Sequence, residues 1–102
     1  MRDPLTKRRS ALKTKYGITL EQFDDMLIEQ DFRCAICGRL ASVFNKSLHV
    51  DHRHGSDPIH IRGLLCPNCN HRILGRIRDK KLLWIGLGKY ITKALKEDPG
   101  WQ

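Results

Sequence analysis

Two cysteine pairs, Cys34-Ala-Ile-Cys37 and Cys66-Pro-Asn-Cys69, constrain this chain more than any other feature. A two-residue gap lets both sulfurs of a pair reach one ion. Two such pairs complete a tetrahedron of thiolates at about 2.3 Å from the metal. With four protein ligands the ion has no open position, so it holds a fold together and does no chemistry. The first ten residues are basic and lack the apolar segment of a secretory signal, which favours a reducing compartment. The four cysteines therefore read as ligands of one structural zinc rather than as two disulfides. A chain of 102 residues with 7% aromatics builds only a small core, and a structural metal is a usual staple for one. No apolar run has the length to cross a bilayer, so no membrane partner is expected.

Between the pairs lies Val50-Asp51-His52-Arg53-His54, and Asn70 follows Cys69 directly. Asp51 and Asn70 offer the oxygen ligands that Mg²⁺ or Mn²⁺ prefers, with waters and a substrate phosphate completing the shell. His52 adjoins Asp51 on an extended segment and is expected on the opposite side of the backbone, placed to take a proton from water. His54 is the second candidate histidine. The formal net charge of +8 favours a polyanionic partner, most often nucleic acid. Arg53 and Arg62 are candidate phosphate clamps. Arg72 and Arg76, with Arg78, Lys80 and Lys81, form a second basic cluster placed to follow a nucleic-acid backbone.

The expected organisation is one domain with three parts. Residues 1–31 form a helical extension, basic first and acidic after. Pro4 opens a helix to Tyr16, read either as a solvated arm or as a helix lying along phosphates. Thr19 caps a second helix to about Gln30, with Gln22 in capping-box position and an acidic outer face that reads as solvated. Residues 32–75 form the core: a knuckle at Cys34–Cys37, strands at Ser47–Asp51 and Ile61–Leu65, and a helix from the second cysteine pair through about Leu74. Gly63 within the second strand marks a bend or a close backbone approach. Residues 76–102 supply a final helix over about Lys81–Lys96, which Gly86 and Gly88 either pack closely or split.

The run C-A-I-C…H-V-D-H-R-H…R-G-L-L-C-P-N-C-N, over about residues 32–74, resembles the recombination endonuclease VII group of HNH nucleases. The resemblance implies an α+β fold, a ββα-metal unit built around a zinc knuckle. It also implies cleavage of DNA phosphodiesters, in duplex or branched DNA, leaving a 5′-phosphate and a 3′-hydroxyl. Residue by residue, Asp51 and Asn70 match the ligands of the catalytic cation, and His52 matches the general base. His54 matches the histidine that holds or polarises the phosphate, and the four cysteines match the zinc ligands. A phage or mobile-element origin follows as an expectation, with action in the host cytoplasm. Two departures stand out. Many HNH nucleases carry an asparagine four or five residues before the second cysteine pair, where this chain has Ile61 and Arg62. Junction-resolving members carry a long C-terminal dimerising region, whereas these residues end soon after one helix. Monomer, homodimer and subunit of a larger DNA-processing complex stay open. The rival readings are a non-catalytic zinc module that binds nucleic acid and an accessory subunit, for example of a DNA-packaging machine.

Overall fold

Two helices precede the first cysteine pair in the computed structural model, which describes residues 4–55, 57–98 and 100. Arg2 and Asp3 of the basic arm and Ser56 of the polar loop lie outside these residues. Helix α1 spans Pro4–Tyr16, and Gly17 follows it at φ 73°. It is no free arm. Leu12 is buried, the Arg8 guanidinium lies 4.5 Å from the centroid of the Phe23 ring, and Arg9 pairs with Glu21 at 2.7 Å.

Helix α2, Leu20–Glu29, starts with the expected capping box: Gln22 N donates to Thr19 Oγ1 at 3.0 Å, and Thr19 N donates to Gln22 Oε1 at 2.8 Å. Such caps contribute about 1 kcal/mol. The helix closes by donating Phe32 N to Leu27 O and Asp31 N to Ile28 O, with Asp31 left-handed at φ 55° where glycine is usual. Phe23 is buried, whereas Glu21, Asp24, Asp25, Glu29 and Asp31 all face solvent, as the acidic pattern predicts.

Strands β1 (His49–His52) and β2 (Ile61–Leu65) form a two-stranded antiparallel sheet. β2 has its expected limits, but β1 begins two residues later than the pattern of Leu48 and Val50 predicts. The first pair is His49 with Leu65, and the next residue of β2's chain, Cys66, is drawn into the sulfur cluster, which leaves Leu48 buried but unladdered. Asp51 pairs with Gly63 and His52 with Ile61, so Arg62 is an extra residue, a β-bulge. Gly63 meets the close approach expected of it, since a Cβ there would stand 3.3 Å from Gln30 Oε1.

The core joins Leu12, Leu20, Phe23, Leu48, Val50, Leu64 and Leu65 to Cys34, Cys66 and Cys69, so apolar burial and the sulfur cluster are one continuous interior. The helix after Cys66 runs as a π-helical segment, Cys69–Leu74, into a short α3, Gly75–Ile77. It ends at Arg78, whose φ of 46° breaks the helical path. Helix α4, Lys81–Glu97, passes unbroken through Gly86 and Gly88, so neither glycine splits it. None of its described residues is buried, and Leu82 is 84% exposed. The described residues form a small α+β fold with four α-helices, one two-stranded sheet and a four-cysteine cluster.

Candidate functional site

The first knuckle hangs from the end of α2. Gln30 Nε2 donates to Arg33 O at 2.8 Å and to Leu64 O at 3.0 Å, and Leu64 N donates back to Gln30 Oε1 at 2.9 Å. One side chain thus joins the helix end to the centre of β2. Gly38, at φ 76°, closes the knuckle by donating its N–H to Cys34 O. The second pair opens the helical segment beyond β2. The four sulfurs all lie within 4.8 Å of one another, and Cys37 Sγ stands 3.7 Å from Cys66 Sγ. A tetrahedron with 2.3 Å metal–sulfur bonds has edges of about 3.8 Å. Burial pushes the Cys34 thiol up, but backbone N–H groups of Cys66, Cys37 and Ile36 outweigh it and bring Cys34 down to about 6. Burial, and then the neighbouring sulfurs, push Cys69 up. A divalent cation relieves that crowding of sulfurs. Geometry and donor chemistry both suit zinc.

The other candidate residues converge beside this staple. Asp51, His52, His54 and Asn70 line one open cleft of about 500 Å³, whose far wall is α1 with Lys15 and Tyr16. The register shift of the bulge falls between Asp51 and His52, and both residues line this cleft. The His52 ring lies 5.4 Å from that of Tyr16 and 5.1 Å from that of His54. Asn70 Nδ2 stands 3.0 Å from His49 Nδ1. An amide nitrogen only donates, so His49 accepts at Nδ1 and the Asn70 oxygen lies on the other side of the group. Burial, then the charges of His71 and Lys46, hold His49 below its ordinary value, which keeps it in that accepting, neutral form. A carboxylate and an amide oxygen on one cleft are suitable donors for a hard cation.

Sequence reasoning missed Asp79. Its Oδ2 accepts from both the backbone N and the ring Nδ1 of His54 at 2.8 Å, and its Oδ1 accepts from Arg62 NH1 at 2.6 Å. Arg62 also binds Asp51 and covers the Trp84 ring at 4.6 Å. The Arg62 guanidinium, more than the His54 groups, holds the Asp79 carboxyl well below the usual carboxylate range. Nothing local in the sequence flags Asp79, which sits between Arg78 and Lys80 and reads as one acid in a basic run. Arg62 therefore faces inward onto carboxylates. Arg53 lines a neighbouring cleft with Lys81 and Trp84. Arg72 and Arg76 are exposed and line neither this cleft nor the smaller one that Asp51, Asn70 and Arg78 share.

No described helix is long and apolar enough to cross a membrane. No solved structure matches the chain. The chain is 42% identical over 74 residues to the Gene 59 protein of Mycobacterium phage D29, and 39% identical over 74 residues to that of Mycobacterium phage L5. Each match covers 72% of this chain and 43% of the relative, so the chain spans less than half the length of these curated relatives. The family model for recombination endonuclease VII matches residues 9–93, from α1 through most of α4. That match takes in the four cysteines and Asp51, His52, His54 and Asn70 of the cleft, and the chain belongs to the recombination endonuclease VII family.

Proposed function

We propose that this chain is a zinc-stapled, cation-dependent DNA endonuclease of the HNH kind, acting on duplex or branched DNA and leaving a 5′-phosphate and a 3′-hydroxyl. The observation that carries the reading is the gathering of Asp51, His52, His54 and Asn70 on one cleft. Lys15 and Lys46 on the cleft wall offer positive charge to a phosphate backbone. His52 takes a proton from water as it attacks the phosphorus in line. Asp51 and Asn70 are the residues that would hold a divalent cation, and such an ion would supply neutralisation of the negative charge that builds up as the phosphodiester breaks. His54, oriented by Asp79, donates to the phosphate and stabilises charge as it builds up. The phage relatives support a phage origin and action in the host cytoplasm.

The test is incubation of supercoiled plasmid and a four-way junction with protein and Mg²⁺, Mn²⁺ or EDTA. Cation-dependent cutting that His52→Ala lowers by about 10²–10⁴-fold, with gel-shift affinity retained, supports the reading. A wild-type protein that binds DNA and cuts neither substrate refutes it in favour of a zinc-stabilised binding module.

A further inference from the structure

Arg62 has no partner across the strand ladder, because Asp51 pairs with Gly63 and His52 with Ile61. A bulge re-aims the side chain it carries. Here the guanidinium meets both oxygens of one carboxylate: Nε donates to Asp51 Oδ2 at 2.9 Å and NH2 to Asp51 Oδ1 at 3.1 Å. NH1 donates to Asp79 Oδ1 at 2.6 Å, NH2 also donates to the His52 carbonyl at 3.0 Å, and the Trp84 ring covers one face. The side chains of Arg62 and Asp51 are only 21% and 10% exposed, so water screens the pair poorly. The carboxylate assigned above to a divalent cation is therefore already engaged, in a bidentate fork, by a cation of the protein itself.

We propose that Arg62 is the internal counter-ion of the cation site: it occupies Asp51 in the cation-free protein and competes with a divalent cation for that carboxylate, while Asp79 keeps hold of the guanidinium. The inference rests on the reading of Asp51 as a cation ligand. Two positive groups on one carboxylate repel each other, so one weakens the other. Asp79 makes the exchange feasible. When Asp51 turns to a metal ion, Arg62 is not left as a buried, unpaired charge, because a second carboxylate and the Trp84 face remain in place. Arg62 thereby sets the affinity of the site and keeps the Asp51 carboxyl oriented before any metal arrives.

The measurement is Mn²⁺ binding to zinc-loaded protein without DNA, by calorimetric titration, for wild type, Arg62→Gln, Arg62→Lys, Asp79→Asn and Asp51→Asn. Arg62→Gln is expected to bind Mn²⁺ roughly tenfold more tightly than wild type, within the range of effects seen when groups around a metal ligand change. Arg62→Lys keeps the charge but loses the fork, and is expected to tighten binding by less. Asp79→Asn is expected to weaken binding, because Arg62 is left with Asp51 as its one carboxylate partner among those described. If Arg62→Gln does not fold, the lysine and Asp79 variants carry the test. Equal Mn²⁺ affinity in wild type and all folded Arg62 and Asp79 variants, abolished in each by Asp51→Asn, overturns the counter-ion and leaves the ligand reading standing. Mn²⁺ affinity unchanged by Asp51→Asn overturns the ligand reading itself.

Discussion

Asp79 accepts from His54 twice, from the backbone amide and from ring Nδ1, each at 2.8 Å. An ionised carboxylate only accepts, so Nδ1 carries a proton and the ring presents Nε2 outward. Asp79→Asn replaces that acceptor with an amide that can turn either end to the ring. Plasmid nicking by Asp79→Asn at saturating Mg²⁺, where altered cation affinity has no effect, is expected to be roughly tenfold or more below wild type. Wild-type nicking under those conditions would show that His54 needs no orientation.

The same carboxyl leaves a signature in stability. Its folded value is depressed by Arg62 first. A depressed carboxyl contributes fully above its unfolded value of about 4, and the contribution is lost only as pH falls from there through the folded value. The gap in urea midpoint between wild type and Asp79→Asn is therefore expected to persist undiminished from about pH 7.5 to about pH 5. A gap that closes within that window contradicts the depressed value.

Gln30 is expected to matter more than its position at the end of a surface helix implies. Leu64 is fully buried, and its N–H donates to Gln30 Oε1. Leu64 O keeps a second partner, Ala35 N, when Gln30 is cut back, but Leu64 N does not among the bonds described. Gln30→Ala is expected to cost about 1–3 kcal/mol, the usual penalty for an orphaned buried donor. Urea unfolding of the zinc-loaded protein measures it, and a change under about 0.5 kcal/mol would mean water replaces the bond.

Removing zinc is expected to remove the fold. Three of the four cysteines are part of the buried core. Structural zinc in small modules contributes roughly 10 kcal/mol, about the whole stability of a domain this size. Metal analysis should give about one zinc per chain. Chelation should abolish the cooperative thermal transition, and a zinc-free protein that still melts cooperatively would contradict this.

Lys15 and Lys46 both line the cleft. If DNA runs through the cleft, Lys15→Ala and Lys46→Ala should each weaken binding across all sequences. Each should also lower the slope of log affinity against log salt by about 1. Gel shifts over a salt series provide the slopes. Unchanged slopes would put the DNA on another face.

What could be read in the sequence was local. The Thr19–Gln22 capping box, the end of α1 at Tyr16 and the doubled cysteine pairs depend on residues a few positions apart, and the structure has each of them. Gly63 also announced a close approach, although nothing in the sequence named Gln30 as the neighbour. The Arg62 bulge was invisible, because one unpaired residue in a strand changes no composition and no turn signal. It falls between Asp51 and His52, where the ladder register shifts. Asp79 reaches the site only because Arg78 turns the chain back at a positive φ. The large apolar residues of α4, Leu82, Leu83, Ile85, Leu87, Tyr90, Ile91 and Leu95, lie exposed, because periodicity shows that a helix has an apolar stripe and not what covers it.

The position of the sulfur cluster also bears on the order of assembly. The two knuckles flank the hairpin, so the chain from residue 38 to residue 65 is a loop that a metal on the four cysteines would close at its base. Closing a loop of that length costs on the order of 3 kcal/mol in chain entropy before any strand contact repays it. Helices α1 and α2 need no such closure and can form from nearby residues in about a microsecond. Metal capture is thus placed on the slow, non-local part of the route, and refolding should accelerate with free zinc concentration while the helical signal recovers early.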